Sequence, residues 1–162
     1  MTKCISLWQP WAEAIKRLFK TYETRNWSTP YRGQLVIHAA KRPYNLRQDV
    51  PFAVASFMFD HRMNQSEMAF GAAICVVDLV DCIRMTPTFI AGLSRQERLW
   101  GNFEPGRYAW KLANVRVFPQ PVPWRGEQGL FDYRGPLPRA PPSRPPARYL
   151  GFLSGVRERV SP

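Results

Sequence analysis

A chain of 162 residues that is 45% hydrophobic can bury one substantial core, and a single compact domain is expected. Its three cysteines, Cys4, Cys75 and Cys82, are odd in number and lack CxxC spacing, which argues against both a disulfide framework and a zinc site and leaves reduced, mostly buried thiols. Lysine and arginine total 23 against 12 acids, a formal net charge of +11, the electrostatic footprint expected for a polyanionic partner.

In chain order, KCISL (3–7) reads as a short strand, and QPWAEAIKRLF (9–19) as an amphipathic helix with Pro10 in its first turn and Trp11, Ile15 and Leu18 on one face. YETRNW (22–27) and GQLVIHAAK (33–41) read as strands separated by the turn residues Pro30 and Gly33. Residues 45–68 form a helical insertion with a polar end, and Gly71 to Arg84 is strand-rich. TPTFIAGLSRQERLWG (86–101) holds one or two short helices, with Ser94 and Glu97 at capping-box spacing. RYAWKLANVRVF (107–118) and GEQGLFDYR (126–134) return to strand. Many strands, few helices and no βαβ rhythm predict an α+β fold, a small mixed β-barrel decorated with helices.

FGAAICVVDLV is broken by Asp78 and is too short to span a bilayer, and the first residues carry no apolar leader, so no membrane contact and an intracellular location, cytoplasmic in a prokaryote, are expected. The compact domain is assigned to residues 1–133. Residues 134–162 hold seven of the 16 prolines, six arginines and one acid, the composition of a basic polyproline-type tail. Such a tail can hold nucleic acid loosely, pack along the domain, or offer a proline-rich motif to a protein partner.

The basic excess is local as well as global. Residues 16–47 carry eight cations against a single acid, Glu23, and at the middle of this window KTYETRNW places Lys20, Glu23 and Arg25 within six positions. Glu23 and Arg25 are two apart in a strand, so their side chains share a face. They can pair with each other as a buried ion pair or present complementary hydrogen bonds to a base. A solvated basic face that merely confers solubility is the alternative reading of the window.

SLWQPWAEAIKRLFKTYETRNW, YRGQLVIHAAKR, GRYAWKLANV and GEQGLF together resemble the ASCH domain (activating signal cointegrator homology), a branch of the PUA-like superfamily, over about residues 3 to 133. The family pattern GxKxxExR falls on Leu18, Lys20, Glu23 and Arg25. Leu18 stands at the glycine, where a left-handed turn is costly for a side chain.

The resemblance implies a PUA-like barrel with a cleft beside the first helix, and a family that binds RNA or in some members processes nucleic acids and modified nucleosides. Candidate binding residues are then Trp8, Gln9, Lys20, Glu23, Arg25, Trp27, His38, Lys41 and Arg42. Trp8 and Trp27 are stacking candidates, whereas Trp11 sits on the apolar helix face and suits the core. His38 is either a hydrogen-bonded core residue or a base contact, and Lys41 with Arg42 suits phosphate. Arg107, Tyr108 and Trp110 are either a further cleft wall or ordinary core.

The partner expected is RNA, single-stranded nucleic acid or a modified nucleoside, with no cofactor. The resemblance also admits a hydrolase acting on RNA or an acylated nucleoside. Its catalytic candidates are Lys20 as activator and Glu23, with Glu97 as a later carboxylate. Glu23 stands where the amidohydrolase members carry threonine, and a carboxylate there favours the lysine cation over the free amine. A nuclease would need a divalent metal, and Asp78 and Asp81 are the nearest acids to a pair.

Overall fold

The computed structural model describes residues 1–138. Strand β1 (Thr2–Leu7) buries Cys4 and Ile5 on opposite faces, after which Pro10, joined to Gln9 by a cis peptide bond, leads into helix α1 (Trp11–Lys16). Strands β2 (Tyr22–Arg25) and β3 (Gly33–Ala39) follow, then helix α2 (Phe52–Asp60) and a 3-10 turn at Gln65–Glu67. The long strands β4 (Ala72–Arg84) and β5 (Tyr108–Pro123) flank two short helices, α3 (Pro87–Ala91) and α4 (Arg95–Leu99), and β6 (Leu130–Tyr133) comes last. No helix among the described residues is long and apolar enough to cross a membrane.

The barrel expected from the sequence does not form. The fold is α+β, but its six strands make an open mixed sheet in the order β2-β5-β4-β3-β1-β6, parallel only where β1 meets β3. Strand length explains the failure to close. The edge strands β2 and β6 are four residues each, and β6 covers β1 only from Thr2 to Ile5. Ser6 and Leu7 therefore run past the end of β6, and β2 approaches them without a backbone ladder. Register shifts between β4 and β5 at three places bend the sheet, and Arg25 of β2 comes within reach of Ser6 of β1.

Both faces of the sheet are covered. Ile5, Leu7, Leu35, Ile37, Val77, Leu79 and Trp110 point to the face on which α1 packs through Ala12 and Ile15. Cys4, Val36 and Val76 point the other way, against Phe118, Phe131 and Tyr133. A separate cluster under α2 joins Val54 and Met58 to Tyr44, Met68 and Trp100. The three thiols are free, and burial pushes that of Cys4 up to about 12 and that of Cys75 higher still.

Helix α1 is shorter than the apolar periodicity predicts. It ends at Arg17 because Leu18 turns into the left-handed region at φ 64°, where its side chain is exposed rather than on the buried face. The amides of Phe19 and Lys20 then both reach the Ala14 carbonyl, at 2.9 and 3.2 Å, in the manner of a helix C-terminal cap. The tight turn of the family pattern is thus made by a leucine, against its conformational preference. Of the proline-rich tail read at 134–162, the part from residue 139 onward lies outside the described residues. Residues 134–138 fold back, and the Tyr133 hydroxyl donates to the Pro136 carbonyl at 3.0 Å.

Candidate functional site

The turn at Leu18 delivers Lys20 to the mouth of β2, and the alternation of β2 turns Glu23 and Arg25 to one side. The three side chains meet. Lys20 Nζ lies 3.3 Å from Glu23 Oε2, and Arg25 Nε lies 3.1 Å from Glu23 Oε1. Lys20 is buried, with 1% of its side chain exposed, and also donates to the Trp100 carbonyl at 2.8 Å. Two cations share one carboxylate, so the group keeps one positive charge. Arg25 reaches across the open seam of the sheet to the Ser6 carbonyl with a long contact of 3.5 Å.

These residues floor a cleft of about 590 Å³ walled by Trp8, Trp11, Leu99 and Trp100. Trp8 is 53% exposed, and the Arg42 guanidinium lies 5.1 Å from its ring centroid in a cation–π contact. The Trp100 indole N–H is buried without an acceptor. Ser6, Leu7, Thr24, Pro51, Val54, Gly101 and Asn102 complete the lining. Sequence reasoning missed these last residues and Trp100. No local pattern marks Trp100; beside it, Gly101 is packed so closely that a Cβ would fall 2.6 Å from the Phe103 ring and 2.9 Å from the Thr24 methyl.

Other candidates lie elsewhere. Gln9 is fully buried and works as a clamp, its Oε1 accepting from the Glu13 amide at 2.9 Å and its Nε2 donating to the Ala69 carbonyl at 3.0 Å. Trp27 stands edge-on to the core residue Trp110 at 4.7 Å and is not part of the cleft lining. Trp110 is in the core, and Tyr108 packs against it. Trp11 combines both readings, lining the cleft while packing against the α2 cluster.

His38 and Lys41 line a second cleft, of about 810 Å³, with Phe70, Trp124 and Arg125. Ser6 lines both clefts, so the end of β1 is the wall between them. The Trp124 carbonyl can only accept, so the proton of His38 is on Nε2, which donates to it at 3.0 Å. Nδ1 then accepts from the Ser6 hydroxyl at 3.0 Å. Burial lowers the His38 pKa, partly offset by the Trp124 carbonyl, and favours the neutral ring. With both nitrogens engaged, His38 fastens the β5–β6 loop to β1. Gly126 of that loop lies directly over the pair, and a Cβ there would fall 2.6 Å from both Ser6 Oγ and His38 Cε1.

The capping box predicted at Ser94 is half formed. Ser94 Oγ accepts from the Glu97 amide at 3.0 Å, but the Glu97 carboxylate turns away to accept from the Thr21 and Tyr22 amides and the Thr21 hydroxyl. It thereby anchors the start of β2. Asp78 is held by Arg116 and Asn114, both at 2.8 Å, and Asp81 pairs with Arg32 at 3.3 Å. Hydrogen bonding from Arg116 lowers the Asp78 pKa. Among the described residues no three histidine, cysteine or acidic side chains gather as a metal site.

The ASCH domain model matches residues 5–122. Activating signal cointegrator 1 from Homo sapiens is 34% identical over 88 residues, covering 49% of this chain and 14% of that protein. The Mus musculus protein of the same name matches to the same extent. The chain thus aligns with only a small part of the curated relatives it matches.

Proposed function

From the premise that the chain belongs to the ASCH domain family, whose members generally bind nucleic acids, we propose that it binds RNA or another single-stranded nucleic acid by taking one unstacked nucleotide into the Lys20–Glu23–Arg25 cleft. The observation that carries this reading is the floor itself. A carboxylate with an ion pair on each oxygen lies at the base of a cleft with aromatic walls, next to donors whose hydrogen-bonding capacity is not exhausted. An ammonium has three N–H groups and a guanidinium five. A base edge meets acceptor and donors on that floor, and Trp8 offers an exposed face for stacking. Arg42, bracketing Trp8, is positioned at the rim for phosphate.

The geometry supports binding more than hydrolysis at this site. Lys20 is engaged by a carboxylate and a carbonyl, and Glu97, the later carboxylate of the hydrolase alternative, is occupied by the amides that begin β2.

The test is Glu23→Gln, which keeps the shape of the side chain but replaces an acceptor oxygen by a donor. Against a panel of single-stranded homopolymers, it is expected to change the base preference and to cost about 1–3 kcal/mol for the favoured base, the scale of one bidentate contact. A folded variant with the wild-type preference would refute recognition by Glu23.

A further inference from the structure

Building on the proposed nucleotide cleft, we infer that the second cleft, between β1 and the β5–β6 loop, is the subsite for the neighbouring nucleotide of the same strand. It takes that nucleotide's phosphodiester and base.

Adjacency is the first argument. The clefts share Ser6, and the consecutive residues Lys41 and Arg42 divide between them: Lys41 lines the second, while Arg42 lies over Trp8 at the edge of the first. A strand leaving the first cleft past the end of β1 therefore has the second cleft as its neighbour.

Chemistry is the second argument. The cleft combines two aromatic side chains, Phe70 and Trp124, with two exposed cations, Lys41 and Arg125. That is the combination that holds single strands without regard to sequence, bases on π-faces and phosphates on cations. Neither cation has a carboxylate partner among the described residues. Other exposed cations are neutralised in pairs, as in Lys3–Asp132 and Arg32–Asp81. Glu127 also lines the cleft, so the net charge is modest and belongs to one or two phosphates rather than to a long tract.

The loop is also fixed in place. Both nitrogens of His38 and the proton of the Ser6 hydroxyl are committed within the protein, and this pair pins Trp124 at the cleft wall. Gly126 lets the loop lie close on them, and its neighbours Arg125 and Glu127, with Gln128, line the cleft.

The experiment compares uridine 5′-monophosphate with oligouridylates of two to six nucleotides on the full chain, wild type beside the double variant Lys41→Gln/Arg125→Gln. Both side chains are exposed, and circular dichroism verifies the fold. In the wild type, affinity is expected to step up about tenfold from one nucleotide to two, the scale of stacking one more base. The double variant is expected to lose that step and to flatten the salt dependence of oligonucleotide binding by about 0.7 in log–log slope for each phosphate contact removed. Its affinity for the mononucleotide is expected to match the wild type. A step that survives in the double variant overturns the inference, as does an equal loss for mononucleotide and oligomer, which would make the cations a general field. Failure of the wild type to bind the mononucleotide or any oligomer at low salt defeats the reading of the first cleft, and the subsite with it.

Discussion

On the two sides of the β1 terminus lie two buried polar groups, Lys20–Glu23–Arg25 and Ser6–His38–Trp124, similar in burial and opposite in chemistry. The first is charged, carries one more cation than it has anions, and leaves a donor unspent, the buried Arg25 Nε, which lies in ion-pair range of Glu23 without a hydrogen-bond partner. The second is neutral, and both histidine nitrogens are bonded within the protein. Histidine would ordinarily be the more reactive side chain near neutral pH. What decides which group can serve a ligand is unused hydrogen-bonding capacity, and on that measure the lysine site is open and the histidine site is closed.

The comparison breaks most readily at Glu23. Replacing it with alanine leaves two cations without their anion in a largely buried site, and the expected loss of stability is about 3–5 kcal/mol by urea unfolding. A loss below about 1 kcal/mol would mean that the floor is wet enough to be treated as surface.

On the neutral side the expected effects are smaller and have a pH signature. Ser6→Ala leaves the buried Nδ1 acceptor without a donor and is expected to cost about 1–3 kcal/mol. Because the folded pKa of His38 lies below its ordinary value of 6.5, the unfolded chain takes up a proton first as pH falls. The stability this ring contributes is therefore full above pH about 6.5 and declines as pH falls towards the folded value. His38→Gln is expected to remove that component from a series of denaturation curves, and persistence of the same decline would assign it to other groups.

Leu18 gives the smallest effect and sharpens the comparison on its charged side. At φ 64° a leucine bears a cost of about 1–2 kcal/mol that glycine lacks, partly offset by the greater freedom of glycine in the unfolded chain. Leu18→Gly is expected to raise stability by about 0.5–1 kcal/mol in thermal melts while leaving nucleotide affinity unchanged, because the turn that aims Lys20 already exists.

Local periodicity carried much of this in the sequence. The shared face of Glu23 and Arg25 follows from strand alternation, and the placement of Lys20 beside them from the short turn after the helix. Sheet closure was not readable, because it depends on how far β6 extends along β1, a pairing between residues 2–5 and 130–133 that no local pattern encodes. The same holds for the clefts. Nothing near residue 38 announces that His38 meets the Trp124 carbonyl, and nothing near residue 97 announces that Glu97 abandons its capping box for amides at 21 and 22. Gln9 and Trp27 were drawn toward the ligand by the family resemblance and, for Trp27, by an aromatic at a strand end, yet Gln9 is claimed by a helix end and a loop carbonyl, and Trp27 by an aromatic core.

Because β6 stops opposite Ile5, the rest of β1 faces β2 across a seam that a single guanidinium spans at 3.5 Å. Widening such a seam requires only that one long side chain swing aside, whereas prising apart a closed barrel would tear a run of backbone pairs. If the cleft takes a nucleotide as proposed, guest exchange would be separated from global unfolding, and residence time would be set by side-chain rearrangement. Occupancy would in turn bridge the free edge of β2, slowing solvent exchange of its amides without any change in the ladder it already makes with β5.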